Sequence, residues 1–415
     1  MFQQGLGVHR VEPVKRVRSD RRIPSGRALG LVSLLGAAMV TATYQQGALS
    51  VLSSFVIEEF TITRGELGIV FTAFSLTGAA VSPFVGGLVD TGPRKVMLGL
   101  FGVGAIGLLI AAGAPSYPIL LGGAILGGLG LGAGNPVTNR VIAQRISAAR
   151  RGLVVGLKQA GPPLGLLVSG LLLPPLAALF GWRIALAVSA ILPVLGLIAT
   201  PYFIPSESGR KRSTESTAQP GTRAVVIWLT VIGLAAAMAL GALIAFLPLY
   251  AQEAVGQTAA TGGILAAFLG LVGVVSRIAW GNVATRFNRP TTALIIITVA
   301  SIVGVGAIAL ASAYGPAFVW LGTFGVGISV QAWHSVAWVV IIDRVGIHGL
   351  GRASGIMQLG NGVGFASGPP AVGALIDATG SYTPGWVLVG TLLLVALILT
   401  IRLRIKAPSR AASSK

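Results

Sequence analysis

The chain has 415 residues, 54% hydrophobic and 10% charged, with a mean hydropathy of +0.85; a soluble globular protein carries about 25% charge, so this is a membrane protein. It has no cysteine and three scattered histidines, which excludes disulfides and cysteine metal sites and gives no sign of a metal centre or cofactor. A net charge of +19 would suit a nucleic-acid binder, but the Lys and Arg residues cluster in alternate gaps between apolar runs, a pattern that a membrane imposes and a polyanion does not.

Residues 1–27 hold seven Lys/Arg and no apolar stretch of 7–15 residues of their own, so they read as a basic cytoplasmic tail beside anionic lipid, with no signal peptide. Apolar runs of about 20 residues then mark membrane spans at 28–55, 65–89, 96–113, 117–140, 152–179 and 184–203, an N-terminal six-helix bundle over 28–203. Residues 204–223 include the polar stretch SESGRKRSTESTAQPG and read as a cytoplasmic linker. Further spans are expected at 224–252, 258–284, 290–313, 316–340, 352–376 and 384–403, a C-terminal bundle over 224–405, with a tail at 406–415. The expected fold is an all-α membrane protein of twelve transmembrane helices in two pseudo-symmetric six-helix halves.

Placing the N-terminus inside puts Arg94/Lys95, Arg140 to Arg151, Arg210 to Arg223, Arg286/Arg289, Arg344/Arg352 and Arg402 to Lys415 on the cytoplasmic side, leaving Arg64 and Arg183 in outer loops. The positive-inside rule therefore predicts a multi-pass cell-membrane protein, of the bacterial inner-membrane kind, with both termini cytoplasmic. Lys158 and Arg277 fit neither side, because they lie inside apolar runs.

The halves resemble each other. GLKQAGPPLG (Gly156 to Gly165) aligns without gaps on GIMQLGNGVG (Gly355 to Gly364), pairing Gln159 with Gln358, and GLGLGAGN (Gly128 to Asn135) lies over TFGVGISV (Thr323 to Val330). Six spans repeated in parallel are a transporter architecture.

The gap between spans two and three reads GGLVDTGPRKVML, and a fainter copy, GNVATRFNRP, returns in the second half. With the twelve spans and the repeat, this loop resembles that of the major facilitator superfamily, whose pattern is Gly-x-x-x-Asp-(Arg/Lys)-x-Gly-Arg-(Arg/Lys). Gly86, Asp90, Arg94 and Lys95 match it, while Thr91 and Pro93 replace a basic residue and a glycine; the copy keeps Gly281, Arg286 and Arg289 but has Thr285 for the acid. The resemblance implies alternating access, with these residues as gating elements. Asp90 can accept hydrogen bonds from Arg94 and from N–H groups at an adjacent helix end, a cytoplasmic latch that favours the outward-open state.

An ionised side chain in a span costs about 2.5–3.5 kcal/mol on translocon scales, so Lys158 and Arg277 are functional candidates by default. They lie at similar depth in spans five and eight, and no acid occurs in the central part of any span to neutralise them. Their pseudo-symmetric counterparts are Met357 and Ser82, so packing common to both halves explains neither charge. Two such cations suit an anion, Arg as a bidentate fork and Lys as a point charge. The Gly/Pro-rich stretches GPPLG and NGVGFASGPP are expected to interrupt their helices nearby. Candidate liners are Tyr44, Gln45 and Gln46, Asn135 and Asn139, Gln159, Gln331 and His334, and Gln358 and Asn361.

SRIAWG (Ser276 to Gly281) resembles the eighth-helix region of monocarboxylate transporters and the oxalate–formate exchanger, in which an arginine four residues before the loop glycine contacts the carboxylate; Arg277 holds that place. The acid that monocarboxylate transporters carry four residues earlier is Gly273 here, and Met357 stands where the exchanger has its second cation. The resemblance implies a secondary transporter of a small organic anion; with no central carboxylate, proton coupling would need His334, an acid near a span end or the anion's own proton, and exchange and uniport stay open. A drug–proton antiporter is the alternative, supported by AGPPLG but not by Leu126, where an arginine would stand. A non-transporting receptor or regulator on this fold is a third reading. No nucleophile–base or embedded acid pair suggests an enzyme.

Overall fold

The computed structural model describes residues 25–205, 222–286 and 290–406; only the backbone is described for residues 25, 90–91, 148–149, 151–152, 222–223, 281–282, 284–286, 290, 338–339, 341–355 and 405–406. The expected N-terminal tail, most of the linker, Arg289 and the last residues lie outside this description. In lipid every backbone polar group must be satisfied within its own segment, and the described chain is accordingly helical. The first half contains α1 (Ser25–Val51), α2 (Ser53–Phe60), α3 (Arg64–Thr91), α4 (Pro93–Ala112), α5 (Tyr117–Arg145), α6 (Ala148–Gln159), α7 (Gly161–Phe180), α8 (Trp182–Val188) and α9 (Ile191–Phe203). The second contains α10 (Thr222–Glu253), α11 (Ala259–Arg286), α12 (Pro290–Tyr314), α13 (Pro316–Ile328), a 3-10 turn at Val330–Ala332, α14 (Trp333–Thr379) and α15 (Thr383–Lys406).

Local chemistry sets the boundaries. At α3 the Thr63 hydroxyl accepts from the Glu66 N–H (3.1 Å) and the Glu66 carboxylate from the Thr63 N–H (2.8 Å), a reciprocal capping box. Gly181 ends α7 at φ +82° and Gly315 ends α12 at φ +102°, where a side chain would be strained.

Ten stretches among the described residues are long and apolar enough to cross a membrane, and they coincide with ten of the twelve expected spans. The other two, 316–340 and 352–376, fall on α13, the 3-10 turn and α14. α14 is not straight. Trp333 and Asn361 are 28 residues apart, about 42 Å along an ideal helix, yet both lie against Gly233 of α10. The helix therefore turns back between them, where the sequence places a loop.

The halves meet along two seams, α3 against α14 and α7 against α11, with α1 beside α10. Glycine permits the approach: a Cβ on Gly68 would lie 2.5 Å from Pro370 Cα, and one on Gly263 2.7 Å from the Gly170 carbonyl. Two prolines add specific bonds. Pro248 and Pro370 have no N–H for the carbonyls four residues back, Ile244 and Ala366. Ser50 of α1 donates to the first and Thr72 of α3 to the second (2.5 Å), both across the halves.

Buried apolar side chains fall into three clusters. One joins both halves at the Arg64 end, including Leu52, Leu67 and Phe71 with Leu243, Phe246 and Ile376. At the Arg94 end each half keeps its own core, one around Leu35, Met97 and Val141, the other around Leu229, Leu294 and Leu403.

Candidate functional site

Lys158 lies in the last turn of α6, two residues before Ala160, the turn residue between α6 and α7. Its side chain is 1% exposed. The ammonium donates to Asn135 Oδ1 (3.1 Å), Thr138 Oγ1 (2.9 Å) and Asn139 Oδ1 (2.6 Å). These α5 residues are spaced i, i+3 and i+4, which puts all three oxygens on one helix face. Every ammonium proton thus has a neutral acceptor, and among the described residues none is acidic. Asn139 is exposed and Asn135 half-buried, so the pair separates the charge from accessible space.

Arg277 of α11 is half-buried. Its Nε donates to the Gln331 carbonyl (2.9 Å), one terminal nitrogen to the Gln159 carbonyl (2.8 Å) and the other to Gln331 Oε1 (3.4 Å). Gln159 Nε2 reaches Asn135 Oδ1 at 3.3 Å, the same oxygen that Lys158 holds. The two cations, one from each half, are therefore joined through Asn135 and Gln159.

The partner of Arg277 is an interrupted helix. Between α13 and α14, Ser329 adopts φ −118°, ψ −83°, and the chain passes through the 3-10 turn. Ser276 donates to the Gly327 carbonyl (2.9 Å), Trp280 Nε1 to Ile328 (2.7 Å) and Arg277 to Gln331. One stripe of α11 thus satisfies the carbonyls that the break frees, the condition for irregular backbone in a membrane. The expected interruption at NGVGFASGPP does not occur, since α14 continues through it; GPPLG opens α7 just beyond the Ala160 break.

The remaining candidates are spread out. Tyr44 is buried and receives a hydrogen bond from Ser189 (3.1 Å). Gln45 turns into the first half, 3.2 Å from the Cβ position of Gly107, and Gln46 is buried nearby in sequence. His334 packs between Trp333 and Phe365, ring centroids 5.4 and 6.0 Å away. Gln331 and Asn361 are buried, and Gln358 is half-buried. In the loop, Arg94 is half-buried, Lys95 exposed and Gly86 beside open space; the side chains of Asp90 and Arg286, with Gly281 and Arg289, lie outside the described residues, so no latch contact is described.

The family model of the Major Facilitator Superfamily matches residues 34–349. The chain belongs to the major facilitator superfamily. The family and the chain's relatives are transporters, not enzymes. The chain is 23% identical over 402 residues to the hexuronate transporter of Bacillus subtilis, covering 90% of this chain and 94% of that one. It is 25% identical over 378 residues to the probable sulfoacetate transporter SauU of Cupriavidus necator, covering 83% and 86%. Over 235 residues it is 29% identical to the multidrug resistance protein MdtG of a Rahnella species, 53% of this chain and 56% of that one. A bacterial homolog of the human lysosomal transporter Spinster, solved inward-facing and unoccupied, superposes with a TM-score of 0.72 at 14% identity, over 93% of this chain and all of that one; this likeness concerns the fold.

This superfamily member has a charged cluster at its Arg64 end that sequence reasoning passed over. Arg64 pairs with Glu253 of α10 through two bonds of 3.0 and 2.9 Å, and Tyr382 donates to the same carboxylate at 2.5 Å. Asp377 of α14 accepts from the backbone N–H of Arg64 (3.1 Å) and Gly65 (2.6 Å), capping α3 from the other half. These groups line a cavity of about 510 Å³. Burial and the neighbouring Glu253 carboxylate raise the Tyr382 hydroxyl above its ordinary value. Within the first half, Arg183 and Trp182 both donate to Glu59. Burial opposes the Glu59 charge, but these bonds outweigh it and hold the carboxyl below its usual value. The available signal was that Arg64 and Arg183 are basic residues on a side otherwise poor in them.

Proposed function

We propose that this transporter carries a small organic anion, a carboxylate or similar oxyanion, bound between Lys158 and Arg277 and moved by alternating access. One observation carries the reading: two cations without acidic partners among the described residues, one from each half, share a single polar relay through Asn135 and Gln159. A ligand that bridges them bridges the halves, which is how binding couples to their rearrangement. An entering anion replaces the neutral oxygens of Asn135 or Asn139 on the ammonium and engages guanidinium N–H groups, exchanging neutral bonds for charge-assisted ones. The named substrates of two relatives, hexuronate and sulfoacetate, are anions and support this class. The positive-inside pattern supports cytoplasmic termini in a cell membrane, and His334, near the Arg277 charge, is the candidate for proton coupling.

The MdtG relative favours a second reading, drug–proton antiport, and the test separates the two. Purified protein in liposomes is assayed for uptake of glucuronate, sulfoacetate, glucose and a cationic dye, in wild type, Lys158→Gln and Arg277→Gln. The expected result is anion uptake alone, with each variant losing a contact of about 1.5–3 kcal/mol, or roughly ten- to hundredfold in affinity. Dye transport that survives in both variants would replace this reading with the antiporter.

A further inference from the structure

A small anion needs only the two cations, yet the second half holds further unpartnered polar groups just beyond Gln331, the partner of Arg277. Trp333 is 1% and Asn361 3% exposed, and neither the indole Nε1 nor Asn361 Oδ1 has a hydrogen-bond partner; nor has His334 Nδ1. Buried polar atoms are nearly always partnered, so three orphans in one cluster call for a specific explanation. They are contiguous. His334 packs edge-on against Trp333 and lies three residues after Gln331, whose carbonyl accepts from Arg277. Trp333 and Asn361 converge over Gly233, where a Cβ would lie 2.7 Å from Asn361 Oδ1 and 3.0 Å from the indole ring. Glycine at 233 is what lets both groups occupy that place. The patch runs from His334 through Trp333 to Asn361, and Gln331 two residues before Trp333 ties it to Arg277.

We infer that this patch reads hydroxyl groups on the anion, so that the transporter selects polyhydroxylated carboxylates over bare ones. The indole N–H can only donate and the amide oxygen only accept. A hydroxyl does both, and neighbouring hydroxyls on one carbon skeleton can meet the two groups together. With its carboxylate at Arg277, a ligand lays its neutral end along His334 and Trp333. An analogue without hydroxyls would leave the orphans unpaired, which is how buried polar sites reject close mimics.

The inference rests on the anion reading, and the test keeps the two apart. Binding to the purified full-length protein is measured for glucuronate and for cyclohexanecarboxylate, which matches it in ring size and charge but has no hydroxyls. The variants are Trp333→Phe, which keeps an aromatic ring and removes the N–H, Asn361→Leu, and Lys158→Gln. Wild type is expected to prefer glucuronate, and Trp333→Phe and Asn361→Leu each to weaken it roughly five- to tenfold without moving cyclohexanecarboxylate. Lys158→Gln should weaken both ligands. Equal wild-type affinity for the two, binding of neither, or variants that move both ligands alike would overturn hydroxyl recognition; the wild-type comparison stands even where a variant misfolds. If Lys158→Gln leaves both ligands unchanged, the anion site fails separately.

Discussion

A charge among neutral groups persists in a membrane interior only where its hydrogen bonds are complete. Lys158 achieves this with three oxygens of one helix, as a point charge can. Arg277 holds a glutamine carbonyl from each half at once, Gln159 and Gln331, which takes the width of a guanidinium fork. Arg277→Lys is therefore expected to reduce anion uptake nearly as far as Arg277→Ala, at least tenfold, because an ammonium cannot span both carbonyls and still meet the anion. Initial uptake rates in liposomes decide it: near wild-type rates in Arg277→Lys would show that charge alone suffices. At this scale the sequence discloses residues whose chemistry is out of place. Lys158 and Arg277 stand out because ionised side chains do not belong in apolar runs. Thr138 and Trp333 do not, since both are ordinary in a span and acquire a role only through the direction of their neighbours. Asp90 is legible by motif as a candidate latch residue, with Arg94 as the partner that the sequence offers.

At the scale of the helix, glycine and proline mislead when read only as breaks. α14 runs through Pro369 and Pro370 because Thr72 of α3 supplies a donor to the Ala366 carbonyl that Pro370 leaves free; α10 runs through Pro248 because Ser50 does the same for Ile244. In the second half the interruption lies at Ser329, in a stretch with no proline, and Ser276, Arg277 and Trp280 on α11 support it. Such compensation is tertiary and does not appear in a linear pattern. Because both proline-freed carbonyls are bonded across the halves, they hold the seam as well as the helix. Thr72→Val and Ser50→Ala should each remove about 0.5–1 kcal/mol from the state closed at the Arg64 end, a population change of about two- to fivefold. Labelling of a single cysteine introduced near that end, before and after each substitution, measures the change. Identical labelling would mean that the freed carbonyls find other partners.

Across the whole molecule, the shared apolar core and the Arg64–Glu253–Tyr382 cluster hold the halves together at one end, while at the Arg94 end each half keeps a separate core. With the orientation that the basic loops predict, this is a form closed to the outside. The sequence motif at Asp90 predicts an opposite latch, closing the inside. Alternating access then becomes a competition between two sets of contacts, of which the set at the Arg64 end is weak pair by pair. The Arg64 and Glu253 side chains are 34% and 28% exposed, and a pair so hydrated contributes about 1 kcal/mol or less. Asp377 adds a helix cap of similar size. Arg64→Gln should therefore move the population about fivefold toward the form open at its own end, and Asp90→Asn should move it the other way. Because the two sites lie at opposite ends, their effects should add, and the double variant should return near the wild-type distribution. Distances between spin labels placed across each mouth report both populations directly. A double variant that behaves like Arg64→Gln alone would show that the Asp90 loop carries topology only, and that the Arg64 end sets the balance between the two states.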